Sequence, residues 1–164
     1  MKLTDYEITI HAQEEVIVNA DELKISQVVY NLINNALTYT GPDKKVMVEQ
    51  ELCEGKVRIL VKDTGEGIPA DKLKDIWERY YKVDKAHKRA QMGTGLGLSI
   101  VKEILTLHKV NYGVESTLGS GTTFWFELNY VKTEKEKPAA PALTDPASGS
   151  TDDDPKQKTK HYNQ

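Results

Sequence analysis

Cysteine is almost missing from this 164-residue chain. Cys53 stands alone, which excludes a disulfide framework and a four-cysteine zinc site. No apolar run approaches the roughly 18–20 residues of a membrane span, and no secretory signal pattern opens the sequence. A dominant charge sign is lacking too: 22 basic against 25 acidic residues leave a formal net charge of -3, with no bulk electrostatic reason to expect nucleic acid as a partner. Proline is scarce wherever a core could form, since Pro138, Pro141, Pro146 and Pro155 all fall in residues 132–164. That stretch has Leu143 as its one large aliphatic residue and carries six lysines against six acids. It cannot bury enough apolar surface to offset an ordering entropy of about 1–2 kcal/mol per backbone residue. The expected organisation is therefore a folded body, 1–131, holding the whole net charge, and a disordered tail, 132–164. The length excludes a multidomain enzyme. A soluble, mixed α/β chain of a reducing compartment is what remains.

Within the body, Ile8 and Ile10, then Val16 and Val18, alternate like two short strands. Asp21 is placed to cap a helix whose apolar positions Ile25, Val28, Val29, Leu32, Ile33 and Ala36 recur at helical spacing, and Gly41-Pro42 ends it. Val46–Leu52 and Val57–Val61 read as a hairpin about Glu54-Gly55. A short helix is predicted over 71–79 and a longer one over 96–108. Strand-like Tyr112–Ser116, a turn at Gly119–Gly121 and strand-like Thr122–Tyr130 close the body. The fold class this pattern predicts is α+β: a two-layer sandwich, with a mixed, mostly antiparallel sheet covered on one face by helices.

Four clusters could carry chemistry, and each has a plainer reading. Asn31, Asn34 and Asn35 crowd one helix although asparagine is a mediocre helix former. Asn31 and Asn35 share a face, where amide oxygens could meet a hard cation or its waters; a solvated polar stripe would look the same. Asp63-Thr64-Gly65-Glu66-Gly67-Ile68-Pro69 follows a strand directly. Its glycines let backbone approach a flat ligand, and a strand-end carboxylate can accept from the exocyclic amino group of adenine while repelling the carbonyl of guanine. A simple turn is the alternative. Gly93-Thr94-Gly95-Leu96-Gly97-Leu98-Ser99 opens the second long helix, where backbone N–H groups beside a positive helix end suit phosphates. Leu98 breaks the dinucleotide fingerprint and no Gly-Lys-Ser/Thr follows, so neither standard phosphate loop is present; a hinge would also use these glycines. Gly119-Ser120-Gly121-Thr122-Thr123-Phe124 reads by itself as a hairpin turn.

Together, in this order and spacing, the clusters resemble the GHKL ATP-binding superfamily, and within it the catalytic, ATP-binding domain of sensor histidine kinases. The asparagine run is similar to the N box, Asp63–Pro69 and Gly93–Leu98 to two glycine boxes, Trp77–Asp84 to the F box, and Gly119–Phe124 to the last glycine motif. The resemblance covers about residues 5–130 and implies the Bergerat-type ATP-binding fold. It implies that Asn35 helps hold Mg2+ on ATP, with Asn31 on the same face as the other catalytic amide. Tyr39 would pack against adenine, Asp63 would accept its N6 hydrogen, and Gly65, Gly67 and Ile68 would shape the pocket. Thr122 would lie behind the base. Gly93, Thr94, Gly95, Leu96, Gly97 and Leu98 would hold the phosphates, and a lid at 80–92, with Tyr81 and Lys82, would bring positive charge toward the transferring group. Departures are Thr38 where the family usually has Lys or Arg, Lys82 where Arg is frequent, and Trp77 and Tyr80 for the commoner Phe.

The resemblance further implies a phosphoacceptor histidine outside the domain. None of His11, His87, His108 and His161 has the flanking residues of that acceptor. The expectation is a catalytic domain cut from a longer kinase, or one serving a separate chain, donating the γ-phosphoryl group of Mg-ATP to a histidine-bearing dimerisation domain that passes it to a response regulator. It would be a monomer in isolation, without membrane contact of its own, and would face the cytoplasm. Related ATPases and anti-sigma serine kinases usually carry Glu where Asn31 stands, and an amide cannot act as a base. A non-catalytic ATP-sensing or docking module is the other alternative.

Overall fold

Asp21 starts the first helix as its spacing requires. The Asp21 backbone is extended, and its Oδ1 accepts the Lys24 N–H at 3.0 Å, satisfying one of the donors that a helix start leaves open. Helix α1 (Glu22–Tyr39) buries Val28, Leu32, Ala36 and Leu37 on one face and ends at Thr40, just before Gly41-Pro42. The computed structural model describes residues 5–79 and 95–131. The expected lid, Tyr81, Lys82, Gly93, Thr94 and the tail at 132–164 lie outside the described residues.

Six strands occur among the described residues: β1 (Glu7–His11), β2 (Ile17–Val18), β3 (Lys45–Cys53), β4 (Lys56–Asp63), β5 (Tyr112–Thr117) and β6 (Gly121–Val131). They pair in the order β1-β3-β4-β6, and the far edge of β6 is shared by β5 and β2. β1 runs parallel to β3 because β2 and α1 intervene in the chain, and every other pairing is antiparallel. Helix α2 (Gly97–Leu107) lies beside α1 and buries Val101, Ile104 and Leu105. The expected α+β sandwich is the observed architecture.

Alternation along the strands decides which side chains meet the helices. Register partners Val57 and Leu128, Ile59 and Phe126, and Val61 and Phe124 face the core. Phe124 and Phe126 are its largest fully buried side chains, each contributing roughly 1.5–3 kcal/mol of transfer free energy. The opposite face carries Arg58, whose guanidinium donates twice to Oε1 of its cross-strand partner Glu127 (2.6 and 3.1 Å) and stacks on Trp125 at 4.6 Å.

Two elements differ from expectation. The helix predicted over 71–79 is two single 3-10 turns, Ala70–Lys72 and Asp75–Trp77. A nine-residue helix is marginal by itself and depends on packing. Side-chain anchoring wins instead: Ile76 is buried, and Trp77 meets Tyr112 and Phe124 edge-on at 5.2 and 5.7 Å. The strand expected at Val16–Val18 shortens to two residues. His108 caps α2: the Ile104 carbonyl lies 2.8 Å from Nδ1, and the Asp21 N–H donates to Nε2 at 3.4 Å, tying the end of α2 to the start of α1.

Candidate functional site

Asp63 is the last residue of β4, and the alternation that turns Val57, Ile59 and Val61 toward the core carries it onto the same face. Its neighbours across the sheet are Val46 on β3, Thr122 on β6 and, beyond Thr122, Ser116 on β5. Asp63 is only 7% exposed. Burial pushes its carboxyl pKa up, and two backbone donors, the N–H groups of Gly65 (2.8 Å to Oδ1) and Thr122, act against that rise. No cation pairs with it among the described residues, so a buried acceptor is left at the end of the strand.

The loop after Asp63 is held from two sides. On one, the Thr40 hydroxyl donates to the Lys45 carbonyl (2.6 Å) and lies 3.1 Å from the Thr64 hydroxyl, which in turn donates to Asp43. A side chain at Gly65 would place its Cβ 2.0 Å from the Tyr39 carbonyl oxygen, so two backbones touch there and only glycine fits. On the other side, the Ile68 N–H donates to Ser116 Oγ (2.8 Å) and the Gly119 N–H donates to the Glu66 carbonyl (2.8 Å). Gly67 has φ +76°, and a Cβ there would lie 2.3 Å from the Thr117 carbonyl. Tyr39, the last residue of α1, is 43% exposed, which leaves its ring available beside the loop, while partial burial raises its phenol pKa.

A second group forms where the helices meet. Asn31 and Asn35 are half-buried on consecutive turns of α1. Gly97 begins α2, and a Cβ on it would lie 3.9 Å from Asn31 Oδ1, which sets the first turn of α2 beside that amide. Asn31 Nδ2 is buried without a hydrogen-bond partner among the described residues. A buried unpaired donor costs roughly 1–3 kcal/mol, and such a group calls for a ligand acceptor. At the start of α2, Ser99 donates to the Leu96 carbonyl (2.9 Å), and Leu98 packs on the core. Gly95 precedes with φ +71°. The Thr38 hydroxyl donates to the Asn34 carbonyl (2.7 Å) along its own helix.

Of the residues expected from the sequence, the fold gathers Tyr39, Asp63, Gly65, Gly67, Ile68 and Thr122 at one end of the sheet. It sets Asn31, Asn35, Leu96, Gly97 and Leu98 around the junction of α1 and α2. Ser116, Thr40, Thr64 and Asp43 were not singled out by sequence. Only Ser116 left a signal, as the polar member of the core-facing alternation Tyr112, Val114, Ser116. A separate open cleft along the outer side of α2 lies between Trp77 and Leu107, and its charges pair with one another, Glu78 with Lys102 and Arg79 with Glu103.

A mixed sheet under two helices, with a strand-end carboxylate at a clamped glycine loop, defines a two-layer α+β sandwich. Residues 20–132 match the family described as Histidine kinase-, DNA gyrase B-, and HSP90-like ATPase, and the chain belongs to that family. Sensor protein SrrB of Staphylococcus aureus (strain NCTC 8325 / PS 47) is 42% identical over 105 residues, which are 64% of this chain and 18% of SrrB. The chain therefore corresponds to less than a fifth of that relative. The nucleotide-free catalytic domain of histidine kinase ThkA superposes with a TM-score of 0.65 at 30% identity, covering 76% of this chain and 79% of that one. Full-length ShkA in complex with AMPPNP gives 0.62 at 30% identity, covering 77% and 26%.

Proposed function

We propose that the chain binds Mg-ATP at the Asp63 end of the sheet and donates its γ-phosphoryl group to a histidine on a separate dimerisation domain, within two-component signalling. The observation that carries this reading is the buried carboxylate of Asp63, which lacks a cationic partner among the described residues. Its two oxygens have lone pairs beyond those that the Gly65 and Thr122 N–H groups fill, and the adenine amino group supplies a further donor. Tyr39 covers the base, Thr122 backs it, and Gly65, Gly67 and Ile68 shape the wall. The buried Nδ2 of Asn31, without a partner among the described residues, fits an anionic phosphate oxygen, and Asn35, one turn on, offers an amide oxygen to Mg2+. The bound metal would neutralise charge on the phosphates. Gly93, Thr94, Gly95, Leu96, Gly97 and Leu98, with Tyr81 and Lys82 of the lid, complete the phosphate side of the proposal.

The complex of ShkA with AMPPNP supports an adenine nucleotide as ligand. In a loose phosphoryl-transfer transition state, positioning and charge neutralisation are the work of these residues, and the nucleophile comes from the partner. The partners in this reading are the histidine-bearing domain and a response regulator, and residues 1–131 face the cytoplasm, where ATP is. No described helix is long and apolar enough to cross a membrane.

A base four residues before Asn35 would favour ATP hydrolysis or a serine kinase; the amide of Asn31 cannot supply it. A sensing module without catalysis is favoured by Thr38, whose hydroxyl is spent on its own helix and leaves no cation there. The test is to add γ-labelled Mg-ATP and the histidine domain of the parent kinase. Label on the histidine supports kinase action, free phosphate alone supports an ATPase, and bound ATP with neither supports a sensor. Mg-ATP at 100 times its dissociation constant should stabilise the fold by about 2.7 kcal/mol. Asp63→Asn should abolish this shift, and an undiminished shift in that variant would refute the assignment of Asp63 to the base.

A further inference from the structure

We propose that Ser116 is a positioning residue that sets which base the pocket accepts, by taking the hydroxyl hydrogen of Thr122 and leaving Thr122 able only to accept. This rests on the reading of the Asp63 end as a base pocket. Ser116 stands in the same cross-sheet row as Thr122 and Asp63, all on the helix-facing side of the sheet.

A serine hydroxyl has one hydrogen and two lone pairs, and Ser116 Oγ has three polar neighbours that use all of them. The Gly121 carbonyl oxygen lies 2.9 Å away. A carbonyl cannot donate, so the Ser116 hydrogen lies on that line. The Ile68 N–H donates to Ser116 Oγ at 2.8 Å and occupies one lone pair. The contact of 3.0 Å to Thr122 Oγ1 is then formed by the Thr122 hydrogen, filling the second. Thr122 is 7% exposed and has no further hydrogen on its hydroxyl to give.

Two acceptors thus stand side by side, the Thr122 oxygen and the Asp63 carboxylate. Such a pair favours an exocyclic amino group, as on adenine, and opposes a carbonyl oxygen at the same ring position, as on hypoxanthine. The same serine pins the Ile68 backbone, so the wall of the pocket and the polarity of its floor are set together. Removing the Ser116 hydroxyl frees the Thr122 hydrogen to turn toward a carbonyl.

The experiment is calorimetric titration of the full chain with Mg-ATP and with Mg-ITP, in the wild type, Ser116→Ala and Ser116→Thr. The wild type should prefer ATP. Ser116→Ala should narrow the ATP-to-ITP affinity ratio by about tenfold, the effect of one hydrogen bond, and Ser116→Thr, which keeps a hydroxyl, should retain the ratio. Equal weakening of both nucleotides in Ser116→Ala, with the ratio intact, would overturn the proposal and leave the adenine reading standing. Absence of ATP binding by the wild type would overturn that reading, and the proposal with it. Should circular dichroism show Ser116→Ala unfolded, Thr122→Val removes the acceptor itself; it should narrow the ratio too, and an unchanged ratio there would overturn the proposal.

Discussion

Gly65→Ala tests one of the two tightest backbone contacts at the site, the other being Gly121 on the Asp63 carbonyl. An ideal Cβ at Gly65 falls 2.0 Å from the Tyr39 carbonyl oxygen and 2.9 Å from Asp63 Oδ1. Carbon and oxygen normally sit about 3.3 Å apart, so the two backbones must separate by roughly 1.3 Å. Neither neighbour is the free end of a flexible side chain. One is the last peptide of α1, and the other is a carboxylate held by the backbone N–H groups of Gly65 and Thr122. Forcing a methylene into such a contact costs about 1–3 kcal/mol. Weakening the Gly65–Asp63 bond or the Thr40–Thr64 contact adds about 1 kcal/mol, and the stiffer unfolded chain returns about 0.4–1 kcal/mol. The net loss should be about 2 kcal/mol, a fall in Tm of roughly 6–10 °C for a domain of this size. Displacing Asp63 and Tyr39 should weaken Mg-ATP binding by about tenfold, the loss of one hydrogen bond to the base. Urea unfolding followed by circular dichroism reads the first quantity and calorimetry the second. Gly97→Ala is the matched control: its Cβ would meet Asn31 Oδ1 at an ordinary 3.9 Å, so the fold should keep or gain stability while the phosphate side is crowded. If Gly65→Ala unfolds at the wild-type midpoint, or if Gly97→Ala loses as much stability, the argument from backbone contact is wrong.

Three further outcomes follow from local chemistry. Burial raises the Asp63 pKa, so the folded state holds its proton more tightly than the unfolded chain does and ionisation costs stability. Nucleotide-free Asp63→Asn should therefore gain stability over wild type as pH rises from the ordinary carboxylate value of 3.8, with no gain below it; urea midpoints at pH 3.5 and pH 7 check this. Glu127 has the opposite sign: the Arg58 hydrogen bonds, helped by Asn111 and Lys56, lower its pKa from 4.5 to about 2. Its stabilisation is present above pH 4.5 and is lost as pH falls toward 2. Arg58 is partly solvent-exposed, so Glu127→Gln should cost no more than about 1 kcal/mol at pH 7, shrinking in high salt. Asp21→Ala removes the cap of α1 and should cost about 1 kcal/mol in denaturant unfolding, unchanged by Mg-ATP because the cap lies far along the helix from Tyr39.

Much of this molecule was legible in one dimension, for definable reasons. The spacing of Ile25, Val28, Leu32 and Ala36 and the cap at Asp21 are local, and α1 begins and ends where they direct. The glycine motifs were legible because close approach of backbones is a demand that only glycine meets. At Gly65 and Gly67 the structure shows which backbone presses on each. The segment 71–79 departs from its local pattern because Trp77 answers to Tyr112 and Phe124, more than thirty residues away, and that anchor overrules local helix formation.

By itself, the sequence determined the alternation of strands, the two long helices, the placing of Asp63 at a strand end and the crowding of asparagines on α1. Each depends on the period of a strand or a helix and on near neighbours. Only the tertiary structure decided that Val46, Asp63, Thr122 and Ser116 form one row, because strand register is set by pairings between distant segments. It likewise decided that Asn31 Nδ2 is buried beside α2 without a partner among the described residues, since burial of an amide depends on which helix packs over it. The role proposed for Ser116 belongs to this second kind: a serine in a strand is unremarkable until the loop at Ile68 and the start of β6 converge on its one oxygen.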